Sequence, residues 1–263
     1  ISNFFVSVFT KSSAIFNIEG NIMSLISSTD FDNTLSLSSD HNFNCMFAGC
    51  TGLTSAEKLS LPATTLAINC YTNMFRDCTS LTTAPELPAT TLAWDCYCYM
   101  FQSCSKLEHI DLPPGFTDIG DRAFSGTAIK SFVIPKEMTK IKYGTFSYCK
   151  QLEEITLPPN LTEIEERAFM YCTALKRVIQ ADGSYNDGEF FIPEGVTALG
   201  EYAIYFDSPN LHTVRIPSTL ETVVQKSFVS PMLERFTMNK PNPKFDIRNN
   251  SVVETATGIL VGG

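Results

Sequence analysis

The sequence predicts an α/β chain built as a solenoid: a stack of short coils, rich in β-strand, with a parallel sheet along one side and brief helical turns. Three observations predict it. The phrase MFAGCTGL at 46–53 returns as MFRDCTSL at 74–81 and as MFQSCSKL at 100–107. Its aromatic recurs as Phe47, Phe75, Phe101, Phe124, Phe146 and Phe169, with weaker copies at Ile204 and Phe228, in steps of 28, 26, 23, 22, 23, 35 and 24 residues. An independent series, an aliphatic residue followed by proline, runs through Pro62, Pro88, Pro113, Pro135, Pro158, Pro193 and Pro217 in steps of 26, 25, 22, 23, 35 and 24. Two series that share a beat, including one long step, mark a tandem array with a single insertion.

The elements follow in order. Residues 1–40 read as a β-rich capping segment. The apolar run FFVSVFTKSSAIFNIEG is interrupted by Ser7, Thr10, Lys11, Ser12 and Ser13, too polar for a membrane span of about 20 apolar residues, so it reads as strands and a turn. The chain begins with Ile1 rather than Met, so the lack of a leader carries no information. Residues 41–238 form the coils. In LEEITLPPNLTEIEERAFMYC, Leu152, Ile155 and Leu157 alternate as a short strand, which Pro158 stops by removing the next backbone donor. Leu161 and Ile164 fit a second strand, and Ala168 and Phe169 lie on a turn that sends the aromatic inward. A coil of about 22 residues cannot bury its own apolar face, so neighbours must stack Leu on Leu, Phe on Phe and Cys on Cys. The insertion falls near 180–191. Residues 239–263 read as a strand or hairpin segment with an uncovered, truncated end, the whole forming one continuous domain.

Composition excludes several classes of function. With 44% hydrophobic residues the chain can bury a large core. A net charge of −9 and a pI near 4.9 argue against nucleic acid or an anionic membrane surface, both of which need clustered Lys and Arg.

Nine cysteines suggest disulfides, but their phase opposes it. Cys50, Cys78, Cys104, Cys149 and Cys172 share one repeat position, and Cys70 and Cys96 share another, so they are expected as ladders of buried thiols behaving as small hydrophobes. Cys45 and Cys98 fall off these ladders and are the expected reactive or incidental thiols. Neither Cys96-x-Cys98 nor the three histidines offer the spacing of a zinc site.

No catalytic grouping is marked. His41, His109 and His212 lack the sequence signature of a nucleophile and its base, and His109 and His212 fall at outward strand positions. GFTDIGDR at 115–122 lacks the Lys-Ser/Thr of a phosphate loop. In DGSYNDGEFF at 182–191, Asp182, Asn186 and Asp187 miss the calcium-loop pattern, which needs Gly at position six and Glu at twelve where this chain has Asp187 and Pro193. Asp182-Gly183 and Asp187-Gly188 instead mark a protruding loop or hairpin, a place where regular scaffolds carry binding. The chain is therefore read as non-enzymatic, with no cofactor and no metal.

The outer face of the main sheet offers the candidate site. Its first column reads Glu108, Lys130, Glu153, Lys176, His212 and Glu234, and its second His109, Ser131, Glu154, Arg177, Thr213 and Arg235. Opposite charges about 4.8 Å apart on parallel strands can pair laterally, and an exposed pair of this kind is worth about 1 kcal/mol or less. The simplest account is a self-satisfied, solubilising ladder. The functional one is a docking face for a protein, since a regular sheet presents an extended surface without a deep pocket. Lys130→Ala is expected to cost about 1 kcal/mol or less in a urea titration; a larger loss would show a structural role for the column.

The pattern Leu-x-x-Ile-x-Leu/Ile-Pro, then Val/Leu-Thr-x-Ile-Gly-x-x-Ala-Phe-x-x-Cys-x-x-Leu, resembles the BspA-like leucine-rich repeats of bacterial surface proteins. PELPATTLAWDCYCYMFQSC and EGNIMSL resemble the variant repeat and its preceding segment in such proteins from gut Bacteroides. The resemblance covers roughly 18–260. It implies a right-handed leucine-rich-repeat solenoid, exported to the cell surface or secreted, that adheres to host or bacterial proteins, and it supplies no catalytic residue. The copy FSGTAI lacks the cysteine, and YAIYFDSPNL replaces the Phe-x-x-Cys phrase around Ile204. The alternative is a spacer or stalk displaying another domain. Glycan binding is weaker, because Trp94, the only tryptophan, sits in the Cys-rich variant repeat.

Overall fold

Two inward aliphatic pairs per repeat produce two short strands in most coils, and the structure, a computed structural model, describes residues 12–26 and 33–262. The chain divides into two units, Ile1–Ile129 and Lys130–Gly263. Ile1–Lys11, the first part of the predicted capping segment, lies outside the described residues.

In the first unit, β1 (Phe16–Asn21) leads into a single 3-10 turn, Ile22–Leu25, whose Met23 N–H donates to the Asn21 side chain. Then come β2 (Ser36–Leu37), β3 (Leu53–Ser60), β4 (Thr65–Leu66) and β5 (Thr91–Leu92). β1 pairs in parallel with β3, and β2, β4 and β5 form a second parallel sheet. In the second unit, β6 (Ser131–Val133), β7 (Lys140–Ile141), β8 (Glu154–Thr156), β9 (Glu163–Ile164) and β10 (Arg177–Ile179) are followed by β11 (Glu189–Phe191), β12 (Ala198–Leu199), β13 (Thr213–Ile216), β14 (Thr222–Val223) and β15 (Arg235–Met238). Three parallel sheets result, β6-β8-β10, β11-β13-β15 and β7-β9-β12-β14.

The 35-residue step explains the break between the first two of these sheets. Its coil contributes three strands, β10, β11 and β12, where neighbouring coils of this unit contribute two, such as β8 and β9. Gly188 makes the second possible. The N–H groups of His212 and Thr213 both donate to the Gly188 carbonyl, and a Cβ on this residue, which sits at φ +75°, would come within 2.3 Å of the His212 ring.

The turn expected around Ala168 and Phe169 takes the form of overlapping tight turns rather than a turn of α-helix. In the first coil, Asn44, Met46, Ala48 and Cys50 each donate to the carbonyl three residues back, while Cys45, Phe47 and Gly49 donate to Thr72, Met74 and Arg76 of the next coil. Alternate residues thus look inward and across. Three of these four turns have the positive φ of a type II-like third position, at Phe43, Cys45 and Gly49 and again at Tyr71, Asn73 and Asp77, while the ladder aromatics Phe47 and Phe75 do not. The N–H groups that leave the turn are met by the next coil, which is why the segment forms only in the stack.

The core is a set of ladders. Phe47, Phe75, Phe101 and Phe124 stack with centroids 5.4, 5.5 and 6.3 Å apart, and Phe43, Tyr71, Tyr97 and Phe116 form a second column at 5.9, 5.9 and 5.7 Å. In the second unit Phe146 lies on Phe169 at 5.8 Å, and Phe190 on Phe206 at 5.5 Å. All nine cysteines are free, and eight are buried. The Cys78, Cys104 and Cys172 thiols donate to the carbonyls of Phe47, Phe75 and Phe146 in the coil before, at 3.0–3.1 Å. These three thiols therefore fill space and satisfy a carbonyl.

Cys98 corrects the expectation of a reactive thiol. It is 3% exposed, and burial, assisted by Asp95, pushes its pKa up to about 12. The cause is Gly120 in the next coil, whose main chain packs so closely that an added Cβ would lie 2.5 Å from the Cys98 nitrogen. Cys45 is half-buried and donates to the Asn44 side chain at 2.9 Å; burial raises its pKa as well.

The C-terminal segment forms three antiparallel strands, β16 (Phe245–Arg248), β17 (Ser251–Glu254) and β18 (Leu260–Gly262). The last coil is not bare. Asn250 accepts from the Phe236 N–H and donates to the Glu234 carbonyl, and Asn242 donates to the Pro217 and Leu220 carbonyls.

Candidate functional site

Strands β6, β8 and β10 place the candidate columns side by side in register: Ser131 opposite Glu154, and Glu154 opposite Arg177. Eleven of the twelve candidate residues are exposed or half-buried; Thr213 is the exception at 4% exposure. Its short side chain stands in register between Glu189 and Arg235, with the His212 ring nitrogen 3.3 Å from its hydroxyl, so it is not an outward contact residue. Sequence spacing missed this because the insertion adds a rung, Gly188-Glu189, before His212-Thr213.

The charges pair across strands. Lys176 reaches Glu153 and Arg177 reaches Glu154, both at 2.5 Å. The lysine contact, reinforced by its charge, holds the Glu153 carboxyl below the usual range, and the Glu154 contact raises Arg177. Arg215 pairs with Glu189, each 13% exposed, and its guanidinium lies 5.1 Å from the Phe191 ring centre. In the first unit His109 Nε2 lies 3.1 Å from Asp111. Among the described residues His109 pairs with Asp111, and no His/Cys/Asp/Glu group is arranged to hold a metal.

The insertion is locally self-occupied. The Asp182 carboxylate accepts from the Ser184 hydroxyl and N–H, which lowers its pKa, and Asn186 donates to Glu189. Tyr185 lies under the Arg177 guanidinium at 5.1 Å.

Sequence reasoning missed a tyrosine surface on the turns of the second unit. Tyr148 and Tyr171 lie 5.0 Å apart, Tyr171 and Tyr205 4.9 Å, and Tyr205 and Tyr202 5.9 Å. Burial first, then the Tyr171 hydroxyl, pushes the Tyr205 phenol up. Lys226 lies over Tyr202, and Arg167 donates to the Tyr143 hydroxyl. The signal was present two residues after the ladder aromatic: Gly49, Asp77, Ser103 and Gly126 in the first unit become Tyr148 and Tyr171 in the second. All six hold positive φ, a conformation that Gly and Asp adopt more easily than tyrosine.

Known proteins give these observations their context. The sequence profile described as a BspA type leucine rich repeat region, in six copies, matches residues 24–150, 73–186 and 182–251. Among solved structures, the pneumococcal vaccine antigen PcpA is 19% identical with a TM-score of 0.52, covering 82% of this chain and 58% of that one. A leucine-rich repeat protein from Bacteroides ovatus is 20% identical, TM-score 0.46, covering 78% and 58%, and a leucine rich cell surface protein from Faecalibacterium prausnitzii is 20% identical, TM-score 0.43, covering 89% and 73%. The chain thus spans a little over half the length of the first two. A search of curated proteins gives no match. No helix among the described residues is long and apolar enough to cross a membrane. The repeats seen in the sequence, the coils seen in the structure and a profile match spanning most of the chain agree: it belongs to the BspA-type leucine-rich repeat family.

Proposed function

We propose that this chain is a non-enzymatic protein-binding module, displayed at a bacterial cell surface or secreted, that adheres through the outer face of its strand columns. The observation that carries it is the geometry of that face. Glu153, Glu154, Lys176 and Arg177 are held by their neighbours across β8 and β10, so a partner meets charges already fixed in place and loses little side-chain freedom on binding. Such pairing gives specificity and register more than raw affinity. Display at the surface rests on the family resemblance.

The same pairing favours the spacer reading, because a face whose charges satisfy one another needs no partner. A pull-down from extracellular matrix, mucus and bacterial surface extracts separates the two. A variant with Glu108, Glu153, Arg177 and Arg235 changed to Ala is expected to stay folded and lose a protein that the parent chain captures. Capture unchanged by that variant but lost on Tyr148→Ala with Tyr171→Ala would move the interface to the tyrosine surface, where aromatic side chains are favoured contact residues. Capture of nothing by the parent chain would favour the spacer.

A further inference from the structure

The strand column of the first unit is open between two of its coils, and the opening has the chemistry of a strand-binding cleft. β1 and β3 are paired along their length, and a single bridge, Ser55 to Thr83, continues the ladder into the next coil. There it stops. Among the described residues, no hydrogen bond reaches the main-chain groups of Ala84 through Pro88 or of His109 through Leu112. The corresponding segments of the second unit pair normally as β6, β8 and β10.

Pro85 explains the opening, because Pro88 stands at a repeat position that Pro135 and Pro158 fill beside strands that do pair. Pro85 removes a ladder donor, and a proline at a central strand position prevents the neighbouring coil from closing onto it. The result is a cleft of about 410 Å³ lined by Thr83–Pro88 on one side and His109–Pro113 on the other. A second hollow of about 430 Å³, along Glu57–Pro62, shares Glu86 and Pro88 with it. Leu87 and Ile110, 3% and 8% exposed, form an apolar floor. Glu57, Glu86 and Asp111 stand exposed at the rim against one exposed lysine, Lys58, while His109 is engaged with Asp111.

We propose that this cleft takes one extended basic peptide segment as an added strand, an inference that rests on the protein-binding reading and names the partner chemistry for it. Both walls offer unpaired main-chain donors and acceptors, and the ligand that complements such walls is another extended backbone. Alternate side chains of the added strand would turn toward the Leu87–Ile110 floor and toward the acidic rim. Acidic groups outnumber basic ones there, which selects Lys and Arg over Asp and Glu.

Selection of the intact chain against a random linear octapeptide library tests this directly. Enrichment of Lys/Arg-bearing peptides is expected. The best of them should lose about tenfold or more in affinity when alternate amides are N-methylated, and again against the Glu86→Lys/Asp111→Lys variant. Amide hydrogen exchange at Glu86, Leu87 and Ile110–Leu112 should slow on binding. No enrichment, acidic consensus peptides, or binding indifferent to N-methylation would overturn the proposal, as would sedimentation showing that a second copy of the chain fills the cleft. A pull-down partner lost with the Glu108, Glu153, Arg177 and Arg235 variant but insensitive to Glu86→Lys/Asp111→Lys would overturn the cleft while leaving the protein-binding reading intact.

Discussion

Phe146→Ala is expected to lower stability by about 3–5 kcal/mol, the cost of deleting a buried aromatic from a core that cannot collapse around the gap. The ring is fully buried. It lies flat on Phe169 at 5.8 Å, with 5° between the planes, and Phe132 leans on it at 5.2 Å. Collapse is hindered because the residues around it are fixed from outside the turn: the Phe146 N–H donates to Ala168, and its carbonyl receives the Cys172 thiol. Removing the ring thus leaves a void between two coils whose spacing is set by backbone bonds. Urea unfolding followed by circular dichroism reads the loss. A value below about 1 kcal/mol would show that the aromatic ladder is not the core. Tyr148→Ala, two residues away on the outer side of the same turn, serves as the contrast and should cost much less.

The second large effect is expected in alkali. Burial, the leading cause in each case, pushes Cys70 up to about 11 and Cys78 and Cys98 up to about 12, and it raises Cys104 and Cys172 well above the ordinary thiol value of 9. In the unfolded chain these thiols ionise near 9, so between pH 9 and about 11–12 the unfolded state holds fewer protons than the folded one. Stability is then fully present below pH 9 and falls as pH rises, by about 1.4 kcal/mol per pH unit for each such thiol until its folded pKa is reached. The urea midpoint should be flat from pH 7 to 8.5 and drop steeply by pH 10.5. A Cys78→Ala/Cys98→Ala variant should show a shallower slope over that window. An unchanged slope would mean that other groups drive the alkaline loss.

Much of the fold was legible because it is periodic. The Phe and Pro series fixed the coil length, and Leu152, Ile155, Leu161 and Ile164 assigned both strands of a coil to their inward faces. The phase of Cys50, Cys78 and Cys104 marked them as stacked thiols before any contact was known. What failed was local. Nothing in the alternation of residues announces that β11 adds a rung, and Thr213, which keeps its expected place opposite Arg235, is buried with Glu189 of that extra strand on its other side. Cys98 was misjudged because its burial comes from a glycine in another coil. The tyrosine surface was written in the sequence as Phe-Ser-Tyr-Cys and Phe-Met-Tyr-Cys, but its meaning depends on a backbone conformation that propensity does not predict.

Asn242 and Asn250 have a consequence beyond local bonding. A stack of identical coils is open-ended by nature: whatever lets one coil dock on the next would let a second molecule dock on the last, and such head-to-tail contacts grow into filaments. Asn250 occupies the Phe236 N–H of β15 and the Glu234 carbonyl just before it, groups that another strand would need, and Asn242 spends both ends of its amide on the turn after β13 and on the start of β16. Two asparagine side chains thus take up backbone groups on which a strand of another molecule would otherwise register at this edge.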